Sequence, residues 1–175
     1  RAINLRSFPI NYTLFVTSFC KEAEFGVGIM IEGVSLHPLK QISVPNGDLW
    51  HAFKATDEGF VGFGEAYFTQ VKPHAVKGWK RHNRYVLNLV VVSGAVKFVI
   101  FDDREGSTTK GEFQEVLLTP NGNYQRLTVA PGLWMAFAGA DSEQTSMLMD
   151  LIPEVHAPSE GDRKEIDEIE YNFNV

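Results

Sequence analysis

Short apolar runs separated by turn residues fill the sequence from about residue 40 to residue 152. Three of the turns are PNGD at residues 45–48, DEG at residues 57–59 and KPH at residues 72–74. The runs between them are rich in Val, Ile, Phe and Trp, which favour strands, whereas Pro, Gly, Asn and Asp favour turns. The pattern predicts about nine strands and little helix, in an all-β sandwich or barrel.

Two of the most apolar runs lie side by side, at residues 85–92 and 95–103. They flank Ser93 and Gly94, a two-residue connection of the kind that joins antiparallel strands in tight hairpins. We therefore predict a hairpin at this point. The segment at residues 102–107 (DDREGS) then predicts the turn at the exit of that hairpin rather than a functional site.

The 175-residue chain carries a net charge of −6 at pH 7, with 44 % hydrophobic and 22 % charged residues. This length and composition suit one globular domain with a buried core. The negative balance argues against a broad surface for nucleic acid or anionic lipid, because both require a positive face. Since no apolar run is long enough to cross a bilayer, we expect neither nucleic acid nor membrane among the partners.

Cys20 is the only cysteine, which excludes an internal disulfide and a C-x-x-C motif. A reducing, cytoplasmic setting fits this usage. We predict three regions along the chain: an N-terminal extension at residues 1–29, a β domain at residues 30–155, and an acidic C-terminal tail at residues 156–175. The tail is expected to be solvated and to hold at most one exposed turn of helix.

A cationic segment, KGWKRHN at residues 77–83, directly precedes a strongly apolar run. It brings together Lys77, Lys80 and His82 in a chain whose overall charge is negative, so it predicts a local site for an anionic ligand. Side chains alternate between the two faces of a strand. Lys80 and His82 should therefore share one face, with Trp79 on the other.

Polar side chains also occur within two apolar runs. In FGEAYFT the period of two places Glu65, Tyr67 and Thr69 on one face, which predicts that this face lines a wet cavity. Asn88 lies within VLNLVVV, where a buried amide needs a partner. That partner is either a ligand or Glu65, and the alternative is a structural hydrogen bond within the sheet. The three tryptophans are expected in the core, with stacking on a nucleobase as the alternative: Trp50, Trp79 and Trp134.

Residues 64–137 resemble a known family. The pieces that carry the resemblance are GEAYFTQVKPHAVKGWKRH, VSGAVKFVIFDDREGSTTKGEFQEVLL, GNYQRLTVAPGLWMAF and, nearer the C-terminus, DEIEY. They resemble the dTDP-4-dehydrorhamnose 3,5-epimerase family and, more closely, its cupin relatives in nucleotide-sugar biosynthesis. The resemblance implies a cupin-type double-stranded β-helix, or jelly roll, with short terminal helical turns, a fold whose open mouth suits a ligand.

The family's catalytic residues carry over only in part. Epimerases of this family place their base in R-G-L-H, which matches residues 77–80, so that Lys80 stands in place of the histidine. The family's later histidine matches Met135, its lysine matches Leu87, and its tyrosine acid falls near Met149. Neither Leu nor Met can carry a proton, so the resemblance leaves 3,5-epimerisation, 3,4-ketoisomerisation and no catalysis as open alternatives.

The related dTDP-sugar 3,4-ketoisomerases use R-G-x-H-x-H, which matches residues 77–82 and retains His82. The resemblance therefore implies that His82, with Lys80, is catalytic, since an imidazole titrates near neutral pH and a desolvated lysine can act as a base. Lys77 and Arg84 would bind the diphosphate, with exposed ion pairs as the alternative. The positions implied to bind the sugar are Glu65, Tyr67 and Asn88.

Many cupins hold a metal through G-x5-H-x-H-x3,4-E-x6-G and a later histidine. Of that set only His82 is present, and Lys80 occupies the place of the first histidine. A lysine repels a divalent cation and one ligand is too few. We predict no metal and no other cofactor.

The resemblance implies an isomerase or epimerase of dTDP-linked 4-keto-6-deoxy sugars, acting by proton transfer next to the ketone, in surface polysaccharide or deoxysugar biosynthesis. A dTDP-hexose is the expected partner, and a homodimer is expected because such jelly rolls pair through edge strands. The alternative is a catalytically silent cupin that binds a sugar nucleotide or has a structural role.

Overall fold

The computed structural model describes residues 29–174, and almost all of its regular structure is β-strand. Two turns of 3-10 helix, Pro158–Glu160 and Ile166–Glu168, lie near the C-terminus. The strands are β1 (Val34–Pro38), β2 (Gln41–Ile42), β3 (Leu49–Trp50), β4 (Glu65–Val71), β5 (Val76–His82), β6 (Leu87–Ser93), β7 (Val96–Phe101), β8 (Phe113–Leu118), β9 (Gln125–Val129), β10 (Trp134–Gly139), β11 (Ser146–Ile152) and β12 (Gly161–Arg163).

Ten of these strands form two five-stranded antiparallel sheets. The first has the order β1-β9-β6-β11-β4, and the second has the order β12-β5-β10-β7-β8. β2 and β3 form a small hairpin of their own. The chain crosses repeatedly between the two sheets, which is the jelly-roll arrangement. The predicted cupin-type fold with short helical turns is therefore confirmed.

The predicted hairpin at Ser93 and Gly94 is wrong. β6 pairs with β9 and β11 in the first sheet, whereas β7 pairs with β8 and β10 in the second. Gly94 has a φ of 72°, and a Cβ built on it would lie 2.3 Å from Oγ of Ser146. Gly94 thus allows the chain to turn sharply from one sheet to the other. Only glycine adopts this positive φ freely, and any side chain at this position would clash with Ser146.

The inner faces of the two sheets form the main core. Along β6, Leu87, Leu89 and Val91 point inwards and are buried, as the period of two requires. Phe98 and Ile100 of β7 approach from the opposite sheet and are fully buried. Burial of these aliphatic and aromatic side chains supplies the main driving force for closing the sandwich.

A second apolar cluster covers the outer face of the second sheet. Trp79 and Trp134 are its centre, and both are almost fully buried. Ile169 and Phe173, from the C-terminal region, pack against them and are only 6 % exposed each. The expectation of a solvated C-terminal tail is therefore wrong. The segment is rich in charged residues, but the residues that pack against Trp79 are apolar.

Residues 29–174 contain twelve strands, more than the nine or so that the sequence predicts. The described residues contain three strands that the count of runs did not include: β1, β5 and β12. The charges of β5 and the shortness of β12 obscured these strands in the sequence, and the run at residues 48–55 yields a strand of only two residues. Residues 1–28 of the predicted extension lie outside the described residues. Within residues 29–174, no helix is long and apolar enough to span a membrane.

Candidate active site

A cavity of about 220 Å³ lies between the two sheets. One part of its lining is apolar and the other part carries most of the chemistry predicted from the sequence. The apolar residues are Gly78, Trp79, Leu87, Leu89, Met135, Phe137 and Leu148. The polar and charged side chains are Tyr67, Thr69, Lys77, Lys80, His82, Asp150 and Arg163.

The two sheets contribute different groups to the cavity. β4 and β11 of the first sheet supply Tyr67 and Asp150, which are opposite each other in the strand register. β5 of the second sheet supplies Lys80 and His82. Lys80 and His82 both line the cavity, as predicted, and the Trp79 ring packs into the outer aromatic cluster. The cavity therefore has titratable groups on two facing walls.

His82 is a buried histidine with a fixed partner. Its Nδ1 lies 2.5 Å from Oε2 of Glu160, and only 4 % of His82 is exposed. Burial lowers the pKa of His82, and Lys80 adds to this effect, while the contact with Glu160 opposes it. A neutral imidazole that donates from Nδ1 to Glu160 leaves the lone pair of Nε2 free. His82 is thus arranged as a proton acceptor.

Glu160 is held by more than His82. Its Oε1 accepts hydrogen bonds from the backbone N–H groups of Arg84 (2.7 Å) and Tyr85 (3.1 Å). Burial tends to raise the pKa of Glu160, but the hydrogen bonds from Arg84, His82 and Tyr85 outweigh it and lower that pKa. A carboxylate that stays ionised both orients the imidazole and stabilises its protonated form.

Lys80 is a half-buried lysine whose ammonium group has no hydrogen bond and no ion pair within 4.0 Å inside residues 29–174. Burial lowers the pKa of Lys80, and the positive charge of Arg163, its register partner on β12, lowers it further. Asp150 and Glu160 partly offset this effect. An unpaired ammonium in a partly dry cavity is available to a ligand oxygen.

Asp150 and Tyr67 form a pair on the opposite wall. The Tyr67 hydroxyl donates to Oδ2 of Asp150 at 2.8 Å. Burial raises the pKa of Asp150 to about 6, although the bond from Tyr67 and the charge of Lys80 lower it. Burial also raises the pKa of Tyr67, and Asp150 adds to that effect. The tyrosine therefore keeps its proton, while the carboxyl group can titrate near neutral pH.

Two cations lie at the rim of the cavity. Lys77 reaches the backbone carbonyl of Gln70 at 3.4 Å and lies 5.8 Å from the centre of the Phe137 ring. Arg163, at the end of β12, is exposed. Among residues 29–174 neither cation has an ion-pair partner within 4.0 Å. The rim is therefore positively charged and free to meet an anion.

Three of the predicted binding residues lie outside the cavity. Arg84 follows the end of β5, projects into solvent and pairs with Glu154 at 2.8 Å. Glu65, at the first position of β4, accepts the backbone N–H of His156 at 2.9 Å. Asn88 points to the outer face because its neighbours along β6 point inwards. For Asn88 the structural alternative is realised, since it accepts the Thr128 hydroxyl at 2.8 Å.

The other predicted residues line the cavity: Lys77, Lys80, His82 and Tyr67. The sequence interpretation missed Asp150, Glu160 and Arg163. A signal existed for Asp150, which is the one charged residue of the apolar strand SMLMDLI. Glu160 and Arg163 lie in the segment assigned to a solvated tail, and nothing local distinguishes them from their charged neighbours.

The remaining predicted features have structural roles. Asp102 accepts hydrogen bonds from Arg104, Ser107 and Thr109, which organise the turn after β7 as expected. Of the tryptophans, Trp79 and Trp134 are in the core as predicted, whereas Trp50 is 40 % exposed beside Tyr124. Within residues 29–174, no group of three or more His, Cys, Asp or Glu side chains is placed to hold a metal ion.

Comparison with known proteins relates this geometry to a family. No family model matches the chain. A solved structure of a dTDP sugar isomerase from Desulfovibrio desulfuricans G20 is 33 % identical, with a TM-score of 0.74, and the match covers 78 % of this chain and 87 % of that one. The chain belongs to the dTDP-sugar isomerase family.

Two further proteins are similar to this chain. The crystal structure of a double mutant of ChmJ, a 3′-monoepimerase from Streptomyces bikiniensis, in complex with dTDP has a TM-score of 0.73 over 84 % of this chain and 78 % of that chain. At 19 % identity this likeness shows the fold alone. A probable low-salt glycan biosynthesis epimerase, Agl13 of Haloferax volcanii, is 25 % identical over 120 residues, 67 % of this chain and 76 % of the relative. The predicted relationship to nucleotide-sugar epimerases and isomerases is confirmed.

Proposed function

We propose that this member of the dTDP-sugar isomerase family isomerises or epimerises a dTDP-linked 4-keto-6-deoxy sugar by moving a proton on a carbon next to the ketone. The observation that carries the proposal is the buried His82–Glu160 pair, which leaves one imidazole nitrogen free in a cavity of about 220 Å³. One relative is a dTDP sugar isomerase and another is a 3′-monoepimerase crystallised in complex with dTDP, which supports the choice of ligand.

The chemistry requires a base for a C–H bond that the neighbouring ketone has acidified. His82 meets that requirement, because burial lowers its pKa and keeps it neutral at pH 7. Its Nε2 takes the proton, and the C–H electron pair moves towards the ketone oxygen. The ionised Glu160 stabilises the imidazolium that forms, as general base catalysis by histidine requires.

Lys80 is placed to assist rather than to replace this base. Its ammonium group lines the same cavity and lacks a hydrogen-bond partner within residues 29–174. Negative charge that develops on the ketone oxygen would be stabilised by this cation, and the stabilisation is large because the site is partly shielded from water. The lowered pKa of Lys80 also allows it to donate a proton to that oxygen.

Lys77 and Arg163 are proposed as the diphosphate ligands, so that Arg163 takes the role first assigned to Arg84. Both lie at the cavity rim, and charge-assisted bonds to phosphate are among the strongest that side chains form. Arg84 is unsuited because Glu154 already pairs with it. The apolar floor, with Leu89 and Leu148, offers a surface for the ring and its methyl group.

A second candidate function is binding of a sugar nucleotide without turnover. Met135 and Leu87 line the cavity where related enzymes carry a histidine and a lysine, so those proton carriers are missing. The same cavity and cationic rim would still hold the ligand. The two candidates differ only in whether His82 exchanges a proton with the bound sugar.

The test is incubation with dTDP-4-keto-6-deoxyglucose in deuterated buffer, followed by NMR of the sugar. Deuterium at C3 or C5 is expected with the wild-type protein and is expected to be lost in His82→Gln. The matched control is His51→Gln, since His51 lies outside this cavity. Thermal stabilisation by dTDP without any deuterium uptake would establish the silent binder, and absence of both effects would reject either function.

We also propose a cytoplasmic homodimer that acts in surface polysaccharide or deoxysugar biosynthesis. β4 is an edge strand, and Phe68 on its outer face is 62 % exposed. Phe63 and Val61 near the start of β4 are 66 % and 63 % exposed. Exposed apolar side chains beside an open edge favour pairing with a second copy. Light scattering of wild-type protein and of Phe68→Ser should show a dimer and a monomer respectively.

A further inference from the structure

Asp150 is a buried carboxyl group that the protein itself only half satisfies. It is 6 % exposed, and Oδ2 accepts the Tyr67 hydroxyl at 2.8 Å. Oδ1 is buried and has no hydrogen-bond partner within residues 29–174. A polar atom in this state is costly, and native proteins retain one where a ligand or a reaction uses it. Because Asp150 lines the cavity, a bound sugar is the available partner.

The position of Asp150 is complementary to that of His82. Asp150 lies on β11 in the first sheet and His82 lies on β5 in the second sheet, so the two groups approach the cavity from facing walls. A sugar held between the sheets therefore has one proton carrier on each side. Inversion at a carbon needs this arrangement, since the proton leaves from one face and returns to the other.

The protonation states also fit complementary roles. Asp150 faces Tyr67 from β4, Lys80 and His82 from β5 and Arg163 from β12, while its β6 neighbour Leu89 is apolar. Burial in this setting raises the pKa of Asp150 to about 6 and thereby favours the neutral acid. The neutral acid carries a proton, and the unpartnered Oδ1 is the atom from which a sugar carbon can receive it.

We propose that Asp150 is a second catalytic residue, which delivers a proton from Oδ1 to the face of the sugar carbon opposite His82. This inference rests on the proposed function. His82 takes H⁺ from the C–H bond, and the electron pair forms the enolate of the 4-ketone. The enolate then takes H⁺ from Asp150 at the same carbon, which leaves Asp150 ionised and His82 protonated. Exchange with solvent restores both groups.

Tyr67 is a positioning residue in this scheme. Its hydroxyl bond to Oδ2 fixes the orientation of the carboxyl group and leaves Oδ1 as the oxygen without a partner within residues 29–174. The same bond lowers the pKa of Asp150, so its removal should raise that pKa. Activity that depends on protonated Asp150 falls as pH rises through this pKa. In Tyr67→Phe the alkaline limb of the kcat/KM profile should therefore move to higher pH, an effect that a merely structural tyrosine would not produce.

The experiment compares Asp150→Asn with the wild-type protein on dTDP-4-keto-6-deoxyglucose in deuterated buffer. Asn is isosteric and still accepts the Tyr67 hydroxyl, but it cannot deliver a proton. We expect epimer formation to fall by about 10²- to 10⁴-fold, while deuterium exchange with retention, through His82, continues. The control is Asp141→Asn, which changes a carboxylate on an exposed turn. Thermal unfolding checks that each variant is folded.

The outcomes separate this inference from the function on which it rests. Wild-type protein that takes up no deuterium overturns the proposed function and the role of Asp150 together. Epimer formation by folded Asp150→Asn within tenfold of the wild-type rate overturns the role of Asp150 alone, as does wild-type exchange that yields no epimer. If Asp150→Asn does not fold, Tyr67→Phe decides, and an unmoved alkaline limb overturns the inference.

Discussion

Asp102 and Asp150 are both buried carboxyl groups, yet their surroundings differ in the number of donors. Asp102 accepts five hydrogen bonds, from the backbone and guanidinium of Arg104 and from the hydroxyls of Ser107 and Thr109. Asp150 accepts one, from Tyr67. The bonds from Arg104, Ser107 and Thr109 outweigh burial and hold the pKa of Asp102 well below its usual range, whereas burial raises that of Asp150.

The difference shows how one residue type serves structure at one place and chemistry at another. A carboxylate whose oxygens are all occupied by hydrogen-bond donors of the protein fixes a turn and cannot bind a ligand. A carboxyl group with an unpartnered oxygen lowers the stability of the fold but leaves that oxygen available to a substrate, which is the usual trade-off between stability and activity. Each of the following predictions tests this division, beginning with the largest effect on stability.

Asp102→Ala should lower the free energy of unfolding by about 3–5 kcal/mol, because it leaves Arg104 and two hydroxyls without their buried partner. Urea denaturation measures the change. Deuterium exchange per folded molecule should stay at the wild-type level, since Asp102 does not line the cavity. Asp141→Ala, on an exposed turn, is the control. A mild loss of stability in Asp102→Ala would mean that the five hydrogen bonds of Asp102 stabilise the fold no more than the single bond of Asp150 does.

Asp150→Asn should act in the opposite direction and raise the free energy of unfolding at pH 7 by about 1–3 kcal/mol. The reason is that ionising Asp150 in the folded state, with a pKa of about 6 against an ordinary value of 3.8, costs about 3 kcal/mol. The same urea experiment gives the answer. Destabilisation by this substitution would show that Asp150 is held by contacts that Asn cannot reproduce.

The stability difference between wild type and Asp150→Asn should depend on pH. Between about pH 4 and pH 6 the unfolded chain has lost the Asp150 proton while the folded protein still binds it, so this group's contribution to stability falls as pH rises. The advantage of Asp150→Asn should therefore grow from pH 4 to pH 6 and then level off. Melting temperatures of both proteins across this range test the sign, and a constant difference would contradict it.

The same reasoning applies to two arginines. Arg163 has no ion-pair partner within residues 29–174, whereas Arg84 is paired with Glu154. Arg163→Ala should weaken dTDP binding by about 1.5–3 kcal/mol, the contribution of a hydrogen bond to a charged group. Isothermal titration calorimetry measures the dissociation constant.

Arg84→Ala is the matched variant and has the smallest expected effect. Because Arg84 is exposed and already neutralised by Glu154, its loss should leave both the dissociation constant for dTDP and the melting temperature unchanged. Weakened dTDP binding in Arg84→Ala, with Arg163→Ala unaffected, would restore the original assignment of Arg84 to the diphosphate.

Much of the fold was predictable because its signals are local. Alternation of apolar runs with turn residues predicts an all-β sandwich, and alternation along β5 predicts that Lys80 and His82 face the same cavity. The hairpin at Ser93 and Gly94 failed for a complementary reason. A short glycine connection indicates a sharp reversal, but it does not indicate whether the next strand pairs with its neighbour or crosses to the other sheet.

The sequence by itself determined the alternating strands, the turn residues that end them and the cationic segment that carries Lys80 and His82. Only the tertiary structure decided which groups complete the site, because the partners are distant along the chain. Glu160 meets His82 across 78 positions, and Asp150 meets Tyr67 across 83. The protonation states on which the proposed chemistry depends are set by the folded molecule. They follow from burial, from the number of donors around each carboxyl group and from the way the two sheets face each other.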